Sequence, residues 1–374
     1  MSSPALAIDG GSSVRTTTFP LESTLEGARD SAPLDALETV LSALFGGRSV
    51  VVCAGGPAAA SMALRLAALG HDPSTVEVAI PDAGANVAAR AALELGWRIL
   101  PVDVEADTGN IAARALSTAL GERTRAVVVA HLFGHPAMMP DLLRLAERYQ
   151  LTVIEDVTAS LGAELGGQAV GTMGNVAYLG GGEGHIITSP DVGAVVLADP
   201  AHAARVREWR AESGVAPHER AVRAALAEVR AASESLHARR QAAWHLTYEL
   251  RQVRGVSPMP HGRRIRHGYD RYVVRIRSVL WERSVEETAA ALSAEGVPAA
   301  PAIDALLHED LDVRARLDGN DPRLDPERFG AAIQLRTELL AVPLSRSITS
   351  RDMDDVADAV RKIAAASQRS EAPR

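Results

Sequence analysis

Between residues 49 and 155, short apolar runs alternate with longer segments whose apolar residues recur at helical spacing, and that alternation leaves few folds open. The runs are Ser49 to Ala54, Val76 to Ile80, Arg98 to Val102, Ala126 to Ala130 and Leu151 to Glu155. Between them lie Ala58 to Leu69, Ala85 to Leu95, Ile111 to Leu120 and Met138 to Tyr149, each with a helical period. Strands joined in this way by helices predict right-handed crossovers and a mostly parallel sheet covered on both faces, an α/β fold.

Two further apolar runs follow, Val176 to Leu179 and Gly193 to Leu197, and between them sits Gly180-Gly181-Gly182-Glu183-Gly184-His185. Glycine permits positive φ and close backbone approach, so a glycine run between strands commonly lines a ligand site. Glu22 to Phe45 reads as one or two helices, Ala201 to Arg210 as another, and Glu219 to Arg254 as a long connector helix. The remainder reads as strand Arg271 to Ile276 and helices Ser284 to Glu295, Pro326 to Leu340 and Ser350 to Ala366, the last with Thr349 and Ser350 as caps. A chain of 374 residues therefore divides into a large α/β domain over 1–253 and a small α+β domain over 254–374.

Charge and cysteine usage narrow the function. The net charge is −8, and the densest basic cluster, Arg263-Arg264-Ile265-Arg266, reads as a solvated loop or substrate rim, so no nucleic-acid partner is expected. Cys53 is the single cysteine and lies in an apolar run, which fits a buried thiol and a reducing, cytoplasmic setting. The first residues lack the pattern of a signal peptide, and no run approaches the ~18 apolar residues of a membrane span. A small-molecule substrate is the expected partner.

Four motifs carry a resemblance. Glu155-Asp156 ends a strand, Gly171-Thr172-Met173-Gly174-Asn175-Val176-Ala177 follows it, and upstream stand Asp103-Val104-Glu105-Ala106-Asp107-Thr108-Gly109-Asn110-Ile111 and His131-Leu132-Phe133-Gly134-His135-Pro136. Together they resemble the DegT-type sugar aminotransferases, fold-type I enzymes that use pyridoxal phosphate (PLP). The resemblance runs almost end to end. It implies a mostly parallel, seven-stranded-type sheet, a small C-terminal α+β domain, a homodimer with its site at the interface, and a sugar-derived or natural-product substrate of the kind met in antibiotic biosynthesis.

The same resemblance places the family's Schiff-base lysine on His185. An imidazole cannot form that imine, and the only lysine in the chain is Lys362, in the C-terminal helix. The phosphate-binding Gly-Thr pair of the family falls on Ala58-Ala59, its serine on Gly180, and the asparagine from the neighbouring subunit on Ala216. The ring-stacking aromatic is lost within Pro81 to Ala85, and the Gln or His after the ring-pairing aspartate becomes Ala159, so that only Asp156 is kept. Each lost phosphate donor costs on the order of 1.5–3 kcal/mol. These replacements predict a vestigial site and no bound cofactor.

The resulting expectation is a PLP-independent enzyme that performs acid/base chemistry (elimination, isomerisation or cyclisation) with His185, Glu183 and Asp156 as catalytic groups. His131, His135, Gly181, Gly182 and Tyr269 are expected to line the substrate. His131, His135, Asp156, Glu183 and His185 lack the spacing of a metal motif, so no metal is expected. Two other readings stay open: a 3-deoxysugar-dehydratase-like enzyme that holds pyridoxamine or pyridoxal phosphate non-covalently with His185 as base, and a non-catalytic scaffold or partner subunit. Ordinary transamination is not expected.

Overall fold

The computed structural model describes residues 5–367 apart from 23, 24, 26, 28, 29, 215, 261 and 318–320. Its first part contains strands β1 (Ser49–Cys53), β2 (Glu77–Pro81), β3 (Arg98–Val102), β4 (Thr124–Ala130), β5 (Thr152–Asp156), β6 (Glu164–Leu165), β7 (Gln168–Ala169), β8 (Val176–Gly180) and β9 (Gly193–Leu197). The helices there are α1 (Pro33–Leu44), α2 (Gly55–Ala67), α3 (Asn86–Glu94), α4 (Ala113–Ala119), α5 (Met139–Tyr149), α6 (His202–Glu212), α7 (Glu219–Arg230) and α8 (Ala232–Leu250). The rest of the chain forms β10 (Val256–Pro258), β11 (Ile265–Arg266), β12 (Arg271–Ile276), α9 (Val285–Ala294), β13 (Ala300–Pro301), α10 (Leu311–Leu317), α11 (Gly330–Glu338), β14 (Leu339–Pro343) and α12 (Ser350–Ser367).

The expected sheet is present. Seven strands run in the order β1-β9-β8-β5-β4-β2-β3, parallel from β8 through β5, β4, β2 and β3, with β9 antiparallel to both β8 and β1. One face is covered by α2, α3 and α6 through an alanine-rich layer that includes Ala59, Ala63, Ala88 and Ala92. The other is covered by α1 and α7 at one end and by α4 and α5 at the other. Small side chains let these helices lie close to the strands, which suits a chain with only 3% aromatic residues.

A second, antiparallel sheet in the order β10-β12-β14-β13 packs against α8, α9 and α12. A separate apolar cluster joins the two parts: Ala83, Leu132 and Phe133 from the large sheet's loops meet Val273, Ile303 and Phe329. Among the described residues no helix is long and apolar enough to cross a membrane.

Three expectations are corrected. The connector predicted as one helix over 219–254 is two, α7 and α8, broken at Ala231 (φ −87°, ψ 0°). No glycine or proline marks the break; α7 is drawn onto α1 and the large-sheet core, whereas α8 packs on α12 in the other core. The helix predicted over Pro326 to Leu340 is a short 3-10 turn, then α11, then strand β14, which pairs with β12 and β13. The helices predicted from Glu22 begin only at Pro33, where a proline occupies the first turn, and residues 23, 24, 26, 28 and 29 of that prediction lie outside the described residues. Thr349 does cap α12: its hydroxyl accepts from the Asp352 N–H at 3.3 Å while Asp352 Oδ2 accepts from the Thr349 N–H at 2.8 Å.

The N-terminal arm is fastened to the last helix. The N–H groups of Ala7 and Val14 donate to the Glu295 carboxylate at 2.8 and 3.0 Å, and the Lys362 ammonium pairs with the same group at 2.9 Å. Arg15 bonds Asp352 and Asp355, both at 2.8 Å.

Inside the large sheet, one carboxylate organises the segment that leads to the site. Glu155 on β5 accepts from the N–H groups of Gly171 at 2.7 Å, Met173 at 2.8 Å and Gly174 at 2.5 Å, and from His131 Nε2 at 3.0 Å. Burial alone would push its pKa up; the His131 ring and the turn's N–H groups outweigh that and hold it below the ordinary 4.5. The stability this group contributes is therefore present above 4.5 and lost as pH falls through the lower folded value. Replacing it with alanine strands four donors, three of them in buried bonds. Glu155→Ala should lower stability by roughly 3–5 kcal/mol, read as a shift in denaturant midpoint at neutral pH; a loss below 1 kcal/mol would show that solvent or neighbours satisfy the turn instead.

Candidate active site

The site forms where β5 and β8 end side by side, with Asp156 in register with Tyr178. Asp156 is 9% exposed. Its Oδ1 accepts from the Thr158 N–H at 3.0 Å and its Oδ2 from the Tyr178 hydroxyl at 2.5 Å. Tyr178 is fully buried in the layer beneath, and that burial, with the Asp156 charge, pushes its phenol pKa well above the usual value. The phenol thus stays protonated and donates.

After β8 the glycines are held by backbone crowding. A Cβ on Gly180 would stand 2.7 Å from the Gly56 Cα, so the end of β8 and the first turn of α2 meet backbone to backbone. A Cβ on Gly181 would stand 1.9 Å from the Ser189 carbonyl oxygen. Gly182 lies against the His185 ring, where a Cβ would approach Cδ2 to 3.1 Å. The turn closes through the His185 N–H to the Gly182 carbonyl at 3.2 Å and the Gly182 N–H to the Ile187 carbonyl at 2.9 Å. The imidazole is thereby fixed over the strand ends.

Its partner is Asp270, which the sequence reading did not single out. His185 Nδ1 and Asp270 Oδ1 are 2.5 Å apart, and Asp270 Oδ2 accepts from Arg271 Nε at 2.9 Å. The Asp270 side chain is 2% exposed. Its burial would raise the carboxyl pKa, but the His185 charge and hydrogen bond, with Arg271 and Arg239, carry it well below the usual range. For His185 the balance runs the other way: burial lowers the imidazole pKa, the Asp270 charge and hydrogen bond raise it more, and the net position is above 6.5. A buried imidazolium–carboxylate pair with ring Nε2 remaining is built to give and take a proton.

The predicted catalytic trio is accordingly regrouped. Asp156 lies near enough to add to the charge field on His185 but makes no hydrogen bond to it among the described residues; its oxygens face Tyr178 and Thr158. Glu183 is exposed and lines a cavity of about 410 Å³ together with Leu21, Gly184, Asp270, Arg271 and the segment 298–300. His131 is placed elsewhere: its Nδ1 accepts from the Ala137 N–H at 3.0 Å and its Nε2 faces Glu155, so both ring nitrogens are used inside the fold. His135 is 1% exposed and packs edge-on against His267 at 5.5 Å, with Asn110 bonded to its carbonyl oxygen at 3.0 Å. Tyr269, expected at the rim, is buried, because a left-handed turn (φ 50°) lays its ring flat on His267 with centroids 3.9 Å apart. That turn rests on Gly134, where a Cβ would come within 2.5 Å of the Tyr269 nitrogen, and it delivers Asp270 to His185.

Of the other positions, Ala58 and Ala59 lie in the first half of α2, Ala159 is half-buried in the turn after β5, and Ala216 is exposed. Lys362 is on α12, bonded to Glu295 and to the Ser12 carbonyl at 2.6 Å. The missed residue, Asp270, did have a signal: a carboxylate directly preceding the readable strand 271–276 sits at a strand end, where sites are built.

Residues 29–361 match the DegT/DnrJ/EryC1/StrS aminotransferase family. An L-glutamine:2-deoxy-scyllo-inosose aminotransferase of Streptomyces paromomycinus is 31% identical over 231 residues, 56% of this chain and 53% of that protein. The chain thus spans about half the length of that curated relative. Among solved structures, an aminotransferase of Streptoalloteichus hindustanus superposes with a TM-score of 0.78 at 24% identity, covering 91% of this chain and 92% of the other. A Streptococcus pneumoniae protein described as a sugar aminotransferase, in its PLP-form, gives 0.80 at 15% identity over 93% and 99%. At these identities the superpositions show the fold, a fold-type I aminotransferase-like α/β architecture. The family match overturns one expectation, that of a chain with no cofactor: amino-group transfer is chemistry that PLP carries and side chains alone do not.

The His185–Asp270 pair is testable by titration. Because the folded pKa is raised, its stabilising effect is fully present below 6.5 and is lost as pH rises through the folded value. Asp270→Asn should bring the His185 midpoint, followed by NMR of the ring protons, to 6.5 or lower, since burial and Arg271 then act unopposed by that carboxylate. An unchanged midpoint would remove Asp270 from the site.

Proposed function

Because the chain belongs to the DegT/DnrJ/EryC1/StrS aminotransferase family, we propose that it modifies a small sugar-derived substrate with pyridoxal or pyridoxamine phosphate held non-covalently, His185 serving as the proton-transferring base. The observation that carries this reading is the His185–Asp270 pair, 2.5 Å apart, beside the retained Asp156 at the strand ends.

The chain's residues suit the cofactor at one end of its ring. Asp156, fixed at both oxygens and largely out of water, offers the counter-charge that a pyridinium nitrogen takes, shared with the Tyr178 hydroxyl. No lysine amine stands in the site, since the single lysine is engaged with Glu295, and this is why the proposal is for a non-covalent complex. When bound, the cofactor supplies an electron sink for a carbanion next to the reacting carbon. Asp270 holds the imidazole in one orientation through Nδ1 and steadies its charged form, leaving Nε2 to remove or return a proton. Gly182 leaves room for the ring, since a Cβ there would come within 3.1 Å of its Cδ2.

In this reading the large domain (1–253) contributes Asp156 and His185, the small one (254–374) contributes Asp270, and the active form is a homodimer. The reaction class favoured is proton abstraction with elimination on a keto- or deoxy-sugar, of the kind that a dehydratase-like member of the family performs.

The test is direct. Titration with pyridoxamine phosphate should give saturable binding by near-ultraviolet absorbance and a raised melting temperature. PLP added with borohydride should leave no protein adduct by intact mass. His185→Asn should keep that binding while lowering turnover, or substrate-dependent solvent deuterium exchange, by about 10²- to 10⁴-fold. A borohydride-trapped adduct at any residue, or no saturable binding, would overturn the proposal.

A further inference from the structure

The cavity beside the site has a wall chemistry that the proposed reaction does not use. Leu21, Pro298, Ala299, Ala300, Ala341 and Pro343 make it apolar, and its one cation is Arg271. Arg271 opens β12 and pairs across to Pro343. Its Nε donates to Asp270 Oδ2 at 2.9 Å, and Asp270 Oδ1 in turn holds His185, so one buried carboxylate orients both the guanidinium and the imidazole. A guanidinium carries five N–H donors, and among the described residues Asp270 takes only the Nε one. The Arg271 side chain is 37% exposed, so the rest of the fork is open to solvent in the cavity.

We infer that Arg271 is a substrate-binding residue that takes the carboxylate of a small, monosaccharide-sized acid in this cavity, with the Glu183 rim facing the hydroxyl or amino groups of the same molecule. The volume of about 410 Å³ suits one small ligand. The planar fork matches a carboxylate two-to-two, and apolar walls strengthen such a charge-assisted pair relative to water. Because Asp270 already holds Arg271 by Nε, the fork is pre-oriented and little side-chain freedom is lost on binding. The reaching acid would lie within the field of His185, so its arrival favours the protonated imidazole. The inference deepens the functional reading above, resting on it for the presence of a substrate but not for the cofactor.

The probes are glucuronate, glucose and inorganic phosphate, added to the full-length chain and followed by calorimetry and by the His185 ring signals. Glucuronate should bind saturably and move the His185 midpoint upward, and glucose should do neither. Arg271→Met should weaken glucuronate by at least about tenfold, with Arg271→Lys in between, because it keeps the charge and loses the fork. Glu183→Gln should leave the carboxylate anchored, with a smaller loss. Thermal melts identify any variant that fails to fold, and Arg271→Lys then carries the comparison. Unchanged glucuronate affinity in Arg271→Met, or binding of phosphate without glucuronate, would overturn the assignment. Pyridoxamine phosphate binding, measured in the same samples, should be unchanged in Arg271→Met, so a failure of the cofactor reading and a failure of this one leave different patterns.

Discussion

The large sheet depends on a charge that water never reaches. Glu155 sits next to the end of β5 with its side chain out of solvent, and it would be costly there were it not met by four donors from two other segments. Those donors are not incidental. His131 comes from the end of β4, and the three N–H groups come from the turn that sends the chain back into β8. The turn itself needs Gly171 in a left-handed conformation (φ 84°), packed so closely on Phe45 that a Cβ would stand 2.7 Å from its ring. One buried carboxylate thus sets where β4 ends and where β8 begins, and its neighbour Asp156 inherits a fixed position at the mouth of the sheet.

From there the site is assembled across two parts of the chain that meet in the small ladder of β11 on β6 and in the bond from the Gly268 N–H to the Gly134 carbonyl at 2.8 Å. The glycine turn after β8 places His185, and the segment 267–270 at the start of β12 brings Asp270 to it. Neither half is complete alone. Their alignment rests on the apolar cluster in which Leu132 and Phe133 meet Val273 and Phe329, and on the close approach of Gly134 to Tyr269. The strained, left-handed Tyr269 is the kind of backbone outlier that persists where surrounding structure over-determines it. Here it turns the chain so that a carboxylate, and not an aromatic ring, faces the imidazole.

Much of the large sheet was legible because strands buried on both faces read as unbroken apolar runs, and crossover helices keep their own period. Arg98–Val102 and Arg271–Ile276 fall where the sequence puts them. What was hidden has a physical cause in each case. Leu339 and Leu340 look like the tail of a helix, since a short Leu/Ala/Val run has no period of its own, and only pairing with β12 makes Leu339–Pro343 a strand. The break at Ala231 lies among good helix formers and is imposed by two cores pulling in different directions. In the site, His185 and Asp156 were readable from local motifs, whereas Asp270 lies 85 residues along the chain from its partner. Glu183 seemed the natural partner by proximity in sequence, but the turn that seats the imidazole sends that carboxylate outward.

The arm at the N-terminus has a consequence for how the molecule is made. Its anchors are Glu295 on one side and Asp352, Asp355 and Lys362 on the last helix. Arg15 and Asp355 lie 340 residues apart in the chain, so on the ribosome the arm waits for α12 before it can find its place. The seven-stranded sheet can collapse while translation continues. Closure of the small sheet's layer therefore follows the large sheet in time, because its fastening joins segments that are far apart along the chain.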